Sequence, residues 1–366
     1  MMTLSPRLRW AVLALTALAM ALLLAVVFSR APAPVSPEGA AAAGDAASYA
    51  RIIERMRGGE GYYPAAHEVL VADGYGTRSV FNWRTPAWPT ILALLPPGGG
   101  QVLLGVLAAV GLALTYRMAR PAGLVAAATS AVAVGLSFGS LLAPEAAVFS
   151  EVAAGVLILV SVTAYGNGWR WLGFAAAITA LFIRELAIFY VLVCVVFAIR
   201  GYRWRKFVAW GVALVAYAAY FAWHAWMVLG QLGPMDRAYG EGWVAFGGLD
   251  FVLATAGFNG LWALGPDWLA AVLVPLGLLG LWAAPKWRGL ATVVVYLTVF
   301  LVIGKPSNAY WGALYTPVLM LGLGWVAPAV AHALQRRSSS NAGGAATAAA
   351  KPGYGKPNGR IRSRKD

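Results

Sequence analysis

Apolar runs of about twenty residues recur along most of the chain, and they constrain its fold more than any other feature. A helix needs about 20 apolar residues to cross the roughly 30 Å hydrocarbon core of a bilayer. Such runs occupy residues 10–28, 101–118, 121–141, 145–165, 207–229, 261–283, 290–304 and 309–331. Only 11% of the residues are charged, whereas soluble domains carry about 25%. The sequence therefore predicts an all-α polytopic membrane protein.

A longer apolar stretch, residues 171–199, decides the topology. As one helix it would reach about 43 Å, and it would hold Arg184 and Glu185 near its middle, where unpaired charges cost several kcal/mol. A single crossing would also place Arg170 and the basic residues 200–206 on opposite sides of the membrane, against the positive-inside rule. Two short helices that turn near Arg184 keep all basic loops inside. We expect about ten membrane helices, including this broken hairpin pair.

The net charge of +14 comes mainly from short loops and the C-terminal tail. This distribution is typical of a cell-membrane protein with both termini in the cytoplasm, and it argues against a nucleic-acid partner. Residues 336–366 are basic and rich in Ser, Asn, Gly and Ala, which predicts a disordered cytoplasmic tail after a membrane domain that spans 1–335. The run 10–28 is longer than a signal-peptide core, so we expect an uncleaved anchor.

The polar residues 29–100 form a long first loop on the external face. Within it, residues 45–57 predict an amphipathic helix in the membrane interface, because the residues of one face recur at helical spacing: Asp45, Tyr49, Ile52, Ile53 and Met56. Asp45 then begins the helix, either as an N-cap or as a functional carboxylate. Residues 88–95 predict a second interfacial helix, with Trp83 and Trp88 as headgroup-level anchors.

Several charged residues have two possible roles. Arg84 either contacts a lipid phosphate or snorkels to the interface. Glu151, about two turns beyond Glu145 in a predicted span, is either functional or a structural partner of Arg184. A loop with four polar or aromatic residues is either an acceptor site or a plain solvated loop: Asp236, Arg237, Glu241 and Trp243.

The motifs of the first loop resemble a known family. They are Asp45-x-x-x-Tyr49, the turn Gly59-x-Gly61-Tyr62-Tyr63, and the aromatic segment that ends at Pro86 before a short apolar helix. This order resembles the first external loop of integral-membrane glycosyltransferases of the C superfamily, in particular bacterial polyprenol-phosphate-mannose-dependent mannosyltransferases. Those enzymes also have a broken helix pair with a basic residue at its external turn, which Arg184 resembles.

The resemblance implies transfer of a sugar, mannose in those enzymes, from a polyprenyl-phosphate donor to a glycan, lipid or protein acceptor on the periplasmic or extracellular face. Asp45 is then the candidate general base of an inverting displacement. Three cations are candidates to stabilise the departing lipid phosphate: Arg184, Arg84 and Lys305. Candidate substrate-binding residues are Tyr49, Tyr62, Tyr63, Glu151 and Glu185. No cofactor is expected, and nothing in the sequence indicates a divalent metal.

Other functions predict other patterns. A polysaccharide polymerase or ligase would carry its large external loop late in the chain rather than first. A lipid-linked-sugar flippase or other transporter would line a path to both faces with polar residues, whereas here they concentrate on the external side. A non-catalytic membrane scaffold is the remaining alternative.

Overall fold

The computed structural model describes residues 6–30, 38–200, 204–238 and 245–334. Within these ranges all regular structure is helical, with short 3-10 segments between the α-helices, and the all-α prediction is confirmed. The α-helices are α1 (Pro6–Ser29), α2 (Glu38–Arg57), α3 (Tyr62–Ala72), α4 (Ala87–Leu94), α5 (Gly99–Ala119), α6 (Leu124–Ser137), α7 (Ser150–Gly166), α8 (Arg170–Ile183), α9 (Ile188–Arg200), α10 (Trp204–Leu229), α11 (Gly248–Gly257), α12 (Trp268–Ala283), α13 (Arg288–Val302) and α14 (Thr316–Leu321). The predicted tail, 336–366, lies outside the described residues.

Four helices are long and apolar enough to cross a membrane: Arg7–Ser29, Gly99–Ala122, Trp204–Leu229 and Thr316–Leu334. Shorter apolar helices accompany them, so the architecture is compatible with a polytopic membrane protein. The number of about ten membrane helices stays a prediction. One helix, α11, lies between the predicted spans 207–229 and 261–283, where no helix was predicted, and its residues Phe251, Val252 and Leu253 are buried.

Two predicted spans begin later than their hydropathy suggests. The predicted span 145–165 is divided into the 3-10 segment Pro144–Val148 and the helix α7. The division occurs because the backbone of Phe149 is extended and interrupts the helix. The span predicted from residue 261 begins with the 3-10 segment Gly260–Leu264, and its α-helix, α12, begins only at Trp268. Hydropathy thus located the apolar runs but not where each helix begins.

The stretch 171–199 is broken at the predicted place. Arg184 has extended backbone angles (φ −144°, ψ 119°) and separates α8 from a 3-10 turn, Glu185–Ala187, that leads into α9. The far ends of the two helices, Arg170 and Arg200, line the same cavity. Because a straight helix would hold these ends more than about 40 Å apart, α8 and α9 fold back on each other.

This hairpin predicts the same sidedness for Arg170 and Arg200. In a Cys194→Ala background, which removes the chain's single cysteine, Arg170→Cys and Arg200→Cys should react with an impermeant maleimide from one side of the membrane. Ala72→Cys, at the exposed end of α3, should react from the other side. Opposite labelling of positions 170 and 200 would contradict the hairpin.

Helix α7 forms the centre of the core. Its residues from Ser150 to Ala164 are all buried, and it packs against α5, α8 and the 3-10 segment Pro306–Leu314. Gly155 permits the last of these contacts, because a Cβ atom there would lie 1.9 Å from the carbonyl oxygen of Ala313. The segment Pro306–Leu314 is therefore pressed directly onto the α7 backbone.

We expect Gly155→Ala to destabilise the protein by about 1–3 kcal/mol, because a backbone atom cannot yield to the added methyl group. Gly105→Ala is the matched control, since it also lies in a helix but its Cβ atom would meet nothing within 4 Å. Thermal unfolding in detergent measures both. Equal melting temperatures for the two variants would contradict the close approach.

In the described residues of the first loop, 29–100, there are three α-helices rather than the predicted two. Helix α2 begins at Glu38 instead of residue 45, and the alanines at 40–43 account for this, since alanine has the highest helix propensity. Helix α3 replaces the predicted turn and starts at Tyr62. The apolar face of α2 was identified correctly, but protein rather than the membrane interface covers it, because α2 packs on α3, α4 and the segment Pro306–Leu314.

The two tryptophans predicted as headgroup anchors are instead internal. Trp83 and Trp88 are each only 1% exposed. Their indole N–H groups donate hydrogen bonds to the carbonyl oxygens of Thr77 and Ala147, both at 2.9 Å. The anchor prediction is wrong, because the loop folds back onto the helical core and buries these rings.

Candidate functional site

Asp45 lies inside α2, about two turns after its first residue. The N-cap alternative is therefore wrong, since the helix begins at Glu38. The carboxylate is half-buried and accepts a hydrogen bond from the hydroxyl of Tyr75 at Oδ1. The hydroxyl of Tyr310 lies 3.1 Å from Oδ2. Asp45 is thus held by two phenols while part of its surface stays accessible.

Tyr310 joins Asp45 to the guanidinium of Arg84. Its hydroxyl accepts a hydrogen bond of 2.8 Å from Arg84 Nη2, and Asn308 Oδ1 lies 3.2 Å away as a second acceptor for its single proton. The guanidinium carbon of Arg84 also lies 5.1 Å from the ring centroid of Tyr49 and 5.7 Å from that of Tyr310. These rings hold the cation in place, and the Tyr310 hydroxyl connects it to the carboxylate of Asp45.

Arg84 is buried, which excludes the snorkelling alternative. Its Nη2 atom lies 3.2 Å from Oε1 of Glu151, and Arg184 Nε lies 2.8 Å from the same oxygen. Glu151 is fully buried in the first turn of α7, where the helix dipole also favours a negative charge. The sequence predicted Glu151 about two turns inside a membrane span. Because α7 begins only at Ser150, Glu151 instead lies at the N-terminal end of this helix.

Arg184 extends this set of charges to Glu185. Its Nη1 atom forms an ion pair with Glu185 Oε1. A continuous series of polar contacts therefore connects the partly exposed carboxylate of Asp45 with the partly exposed carboxylate of Glu185. We call this set the charge cluster, and its members are Asp45, Arg84, Glu151, Arg184 and Glu185.

Three buried guanidinium nitrogens in the charge cluster make no hydrogen bond within the part of the chain that the structure describes: Arg84 Nε, Arg184 Nε and Arg184 Nη2. Arg184 Nε still lies 2.8 Å from Glu151 Oε1 as an ion pair, so Arg84 Nε and Arg184 Nη2 are the two with neither kind of contact. Buried donors are nearly always paired in folded proteins. Two such groups on neighbouring cations can donate hydrogen bonds to the oxygens of an anionic ligand.

The electrostatic setting keeps Arg84 charged. Burial alone would lower its pKa, but Glu151, Tyr49, Tyr310 and Glu185 together outweigh burial and raise the pKa well above its ordinary value. For the Tyr49 phenol, burial raises the pKa well above its ordinary value despite the nearby Arg84. Tyr49 therefore presents a neutral ring to the cation.

The remaining candidates lie around the cluster. Tyr62 donates a hydrogen bond to the carbonyl oxygen of Arg84, and Tyr63 lies 3.0 Å from Nδ1 of His224. Both tyrosines are buried, so they brace the loop in this structure. Lys305 is half-buried and precedes the segment that carries Tyr310. Glu145 is exposed and lies apart from α7.

Two phenols of the site, Tyr75 and Tyr310, were not among the sequence candidates. Tyr310 lies in a polar motif that follows Lys305 and interrupts an apolar region. This interruption is the one feature of the sequence that could have indicated a functional role for Tyr310. Its contact with Asp45 joins residues 265 positions apart. Local spacing carries no information about such a contact.

Asp236 is an anchor between loops rather than part of a solvated loop. It is 4% exposed, accepts a hydrogen bond from the Thr77 hydroxyl, and lies 2.9 Å from His67 Nε2. The solvated-loop alternative is wrong for this residue, because the loop after α10 packs onto the first loop, 29–100. Glu241 and Trp243 lie outside the described residues.

Stability should depend on pH through Asp236. Burial raises the pKa of this carboxyl, but hydrogen bonds from Thr77, Gly233 and His67 outweigh it and lower the pKa. A depressed folded-state pKa stabilises the protein above the unfolded pKa of about 3.9 and loses that effect as pH falls. We expect the melting-temperature gap between wild type and Asp236→Asn to narrow below about pH 4. A gap that is constant between pH 3 and 6 would contradict this role.

No group of three His, Cys, Asp or Glu residues in the described ranges could hold a metal ion. Comparison of the chain with family models, with curated proteins and with solved structures found no match.

Proposed function

We propose that the protein is a membrane glycosyltransferase that moves a sugar from a polyprenyl-phosphate donor to an acceptor hydroxyl at the external face. The observation that carries this proposal is the charge cluster. It joins one accessible carboxylate, Asp45, to two buried guanidiniums that each retain an unpaired N–H group. Sugar transfer needs both a base and a cationic site for the leaving phosphate.

Asp45 is the general base in this proposal. Its carboxylate takes the proton from the acceptor hydroxyl while that oxygen attacks the anomeric carbon. Tyr75 and Tyr310 each occupy only one acceptor position of the carboxylate, and an ionised carboxylate has about four. The half-buried oxygens therefore retain capacity for an acceptor hydroxyl.

Arg84 and Arg184 stabilise the leaving group. As the bond between the anomeric carbon and the phosphate oxygen breaks, its electron pair and negative charge pass to the polyprenyl phosphate. Unpaired guanidinium N–H groups in a water-poor site bind such an oxygen strongly. A single displacement of this kind inverts the anomeric configuration. Lys305, on the segment that carries Tyr310, is a further candidate cation at the mouth of the site.

The proposal is tested by a panel of donors with the purified protein. Synthetic polyprenyl-phosphate sugars, with mannose first, are compared with nucleotide sugars of the same hexoses. We expect release of polyprenyl phosphate and a glycoside of inverted configuration only with the lipid-linked donors. Transfer from nucleotide sugars, or no transfer from any donor, would overturn the proposal.

A further inference from the structure

A second group of cations lies at the opposite end of the molecule from the charge cluster. Helix α7 begins beside Glu151 and ends at Gly166, and α8 begins at Arg170 and ends beside Arg184. Each helix spans about 20–25 Å. Their distant ends, with the ends of α5 and α9 and the starts of α10 and α13, enclose a cavity of about 700 Å³.

Five basic residues line this cavity: Arg170, Arg200, Lys206, Lys286 and Arg288. The lining residues that the structure describes include neither aspartate nor glutamate. This contrasts with the charge cluster, where each guanidinium has a carboxylate beside it. Like charges that converge repel each other, and an anion in the cavity relieves that repulsion.

Arg288 is held in place for such an anion. Its guanidinium carbon lies 4.0 Å from the ring centroid of Tyr165 and 4.8 Å from that of Phe197. Its Nη1 atom is buried and makes no hydrogen bond to any residue that the structure describes. Two rings therefore fix the direction of a cation whose buried N–H group still lacks an acceptor.

The rest of the lining indicates an amphiphilic anion. The same cavity is also lined by apolar and aromatic side chains, among them Met118, Val162 and Trp210. Several tryptophans around this end are highly exposed: Trp169, Trp171, Trp204 and Trp287. Exposed tryptophans mark the headgroup level of a membrane, and basic pockets between membrane helices on the cytoplasmic side suit anionic headgroups.

We propose that this cavity is a binding site for an anionic phospholipid, with the headgroup phosphate at Arg288. The other four basic residues that line the cavity form a basic rim around this phosphate. The volume is in the range of sites that enclose a drug-sized ligand. The proposal is independent of sugar transfer, because it concerns the other end of α7 and α8.

The test is a lipid titration of the delipidated full-length protein, followed by native mass spectrometry. Phosphatidylglycerol is compared with phosphatidylcholine, and soluble glycerol phosphate serves as the lipid-free source of the same phosphate. The rim variant Arg170→Gln/Lys286→Gln removes two exposed cations without touching the ring contacts of Arg288. Its matched control, Arg120→Gln/Arg205→Gln, removes two exposed cations that do not line the cavity.

We expect phosphatidylglycerol to be retained in preference to phosphatidylcholine, and the rim variant to weaken its binding by about 10- to 30-fold. The control should bind as wild type does. Arg288→Gln should weaken binding further, and the rim variant keeps the test valid if this core variant fails to fold. The basic tail is present in every variant, so it cannot produce the difference.

Three results would overturn the proposal. Equal retention of the two lipids would remove the requirement for negative charge. An equal loss of phosphatidylglycerol binding in the control variant would mean that the lipid is attracted by surface charge in general and not by this cavity. Tight binding of glycerol phosphate that displaces the lipid would assign the cavity to a soluble phosphoester instead.

Discussion

Asp45→Asn is expected to lower the rate of sugar transfer by about 100- to 10,000-fold, the usual contribution of a positioned general base. The amide nearly preserves the volume of the side chain and can still accept a hydrogen bond from Tyr75 or Tyr310. It cannot take a proton from the acceptor hydroxyl. The effect should therefore fall on the rate constant for transfer, with a small change in the Michaelis constant for the donor, as measured with a radiolabelled polyprenyl-phosphate sugar.

Asp73→Asn is the matched control. Asp73 lies in the same loop, 29–100, and accepts hydrogen bonds from Ser48 and Arg51, neither of which belongs to the charge cluster. We expect near-normal transfer from this variant. An unchanged rate in Asp45→Asn would remove this residue as the base, and equal losses in both variants would attribute the effect to the loop as a whole.

Glu151→Gln should produce the largest loss of stability, about 3–5 kcal/mol, because it leaves two buried guanidiniums without their shared carboxylate. Arg84 and Arg184 both lie within 3.2 Å of Glu151 Oε1, and both are buried. Repulsion between these two cations adds to the cost of their burial. Thermal or denaturant unfolding in detergent micelles measures the change.

Glu145→Gln provides the comparison, since Glu145 is exposed and close in sequence. Surface substitutions of this kind usually change stability by less than about 0.5 kcal/mol. A similar small effect for Glu151→Gln would mean that water or another group compensates the two guanidiniums, and the charge cluster would lose its structural basis.

The features predicted correctly are those in which a local pattern has one physical outcome. Two adjacent charges within an overlong apolar run cannot remain in a straight membrane helix, so the break at Arg184 follows from sequence alone. The buried face of α2 follows in the same way from the spacing of Tyr49, Ile52 and Ile53. Neither conclusion needs knowledge of the packing partner.

The errors concern surfaces that distant segments cover. Trp83, Trp88 and Arg84 had the composition of an interfacial anchor, but all three are buried. Trp83 stacks on His67 of α3, and Trp88 donates a hydrogen bond to Ala147. Arg84 contacts Tyr310 and Glu151. The helical state of residues 62–72 was missed because the glycines before Tyr62 indicate a turn, and they do mark the boundary between α2 and α3. Long-range packing determined each of these outcomes.

We propose that the protein transfers a sugar at its external face rather than carrying the lipid-linked sugar across the membrane. The most direct measurement uses proteoliposomes of known orientation that contain radiolabelled polyprenyl-phosphate sugar, with the acceptor supplied on one side at a time. Our account predicts glycoside product only when the acceptor is on the side of Asp45, and none in Asp45→Asn. Movement of intact donor between leaflets without product, unaffected by Asp45→Asn, would contradict it.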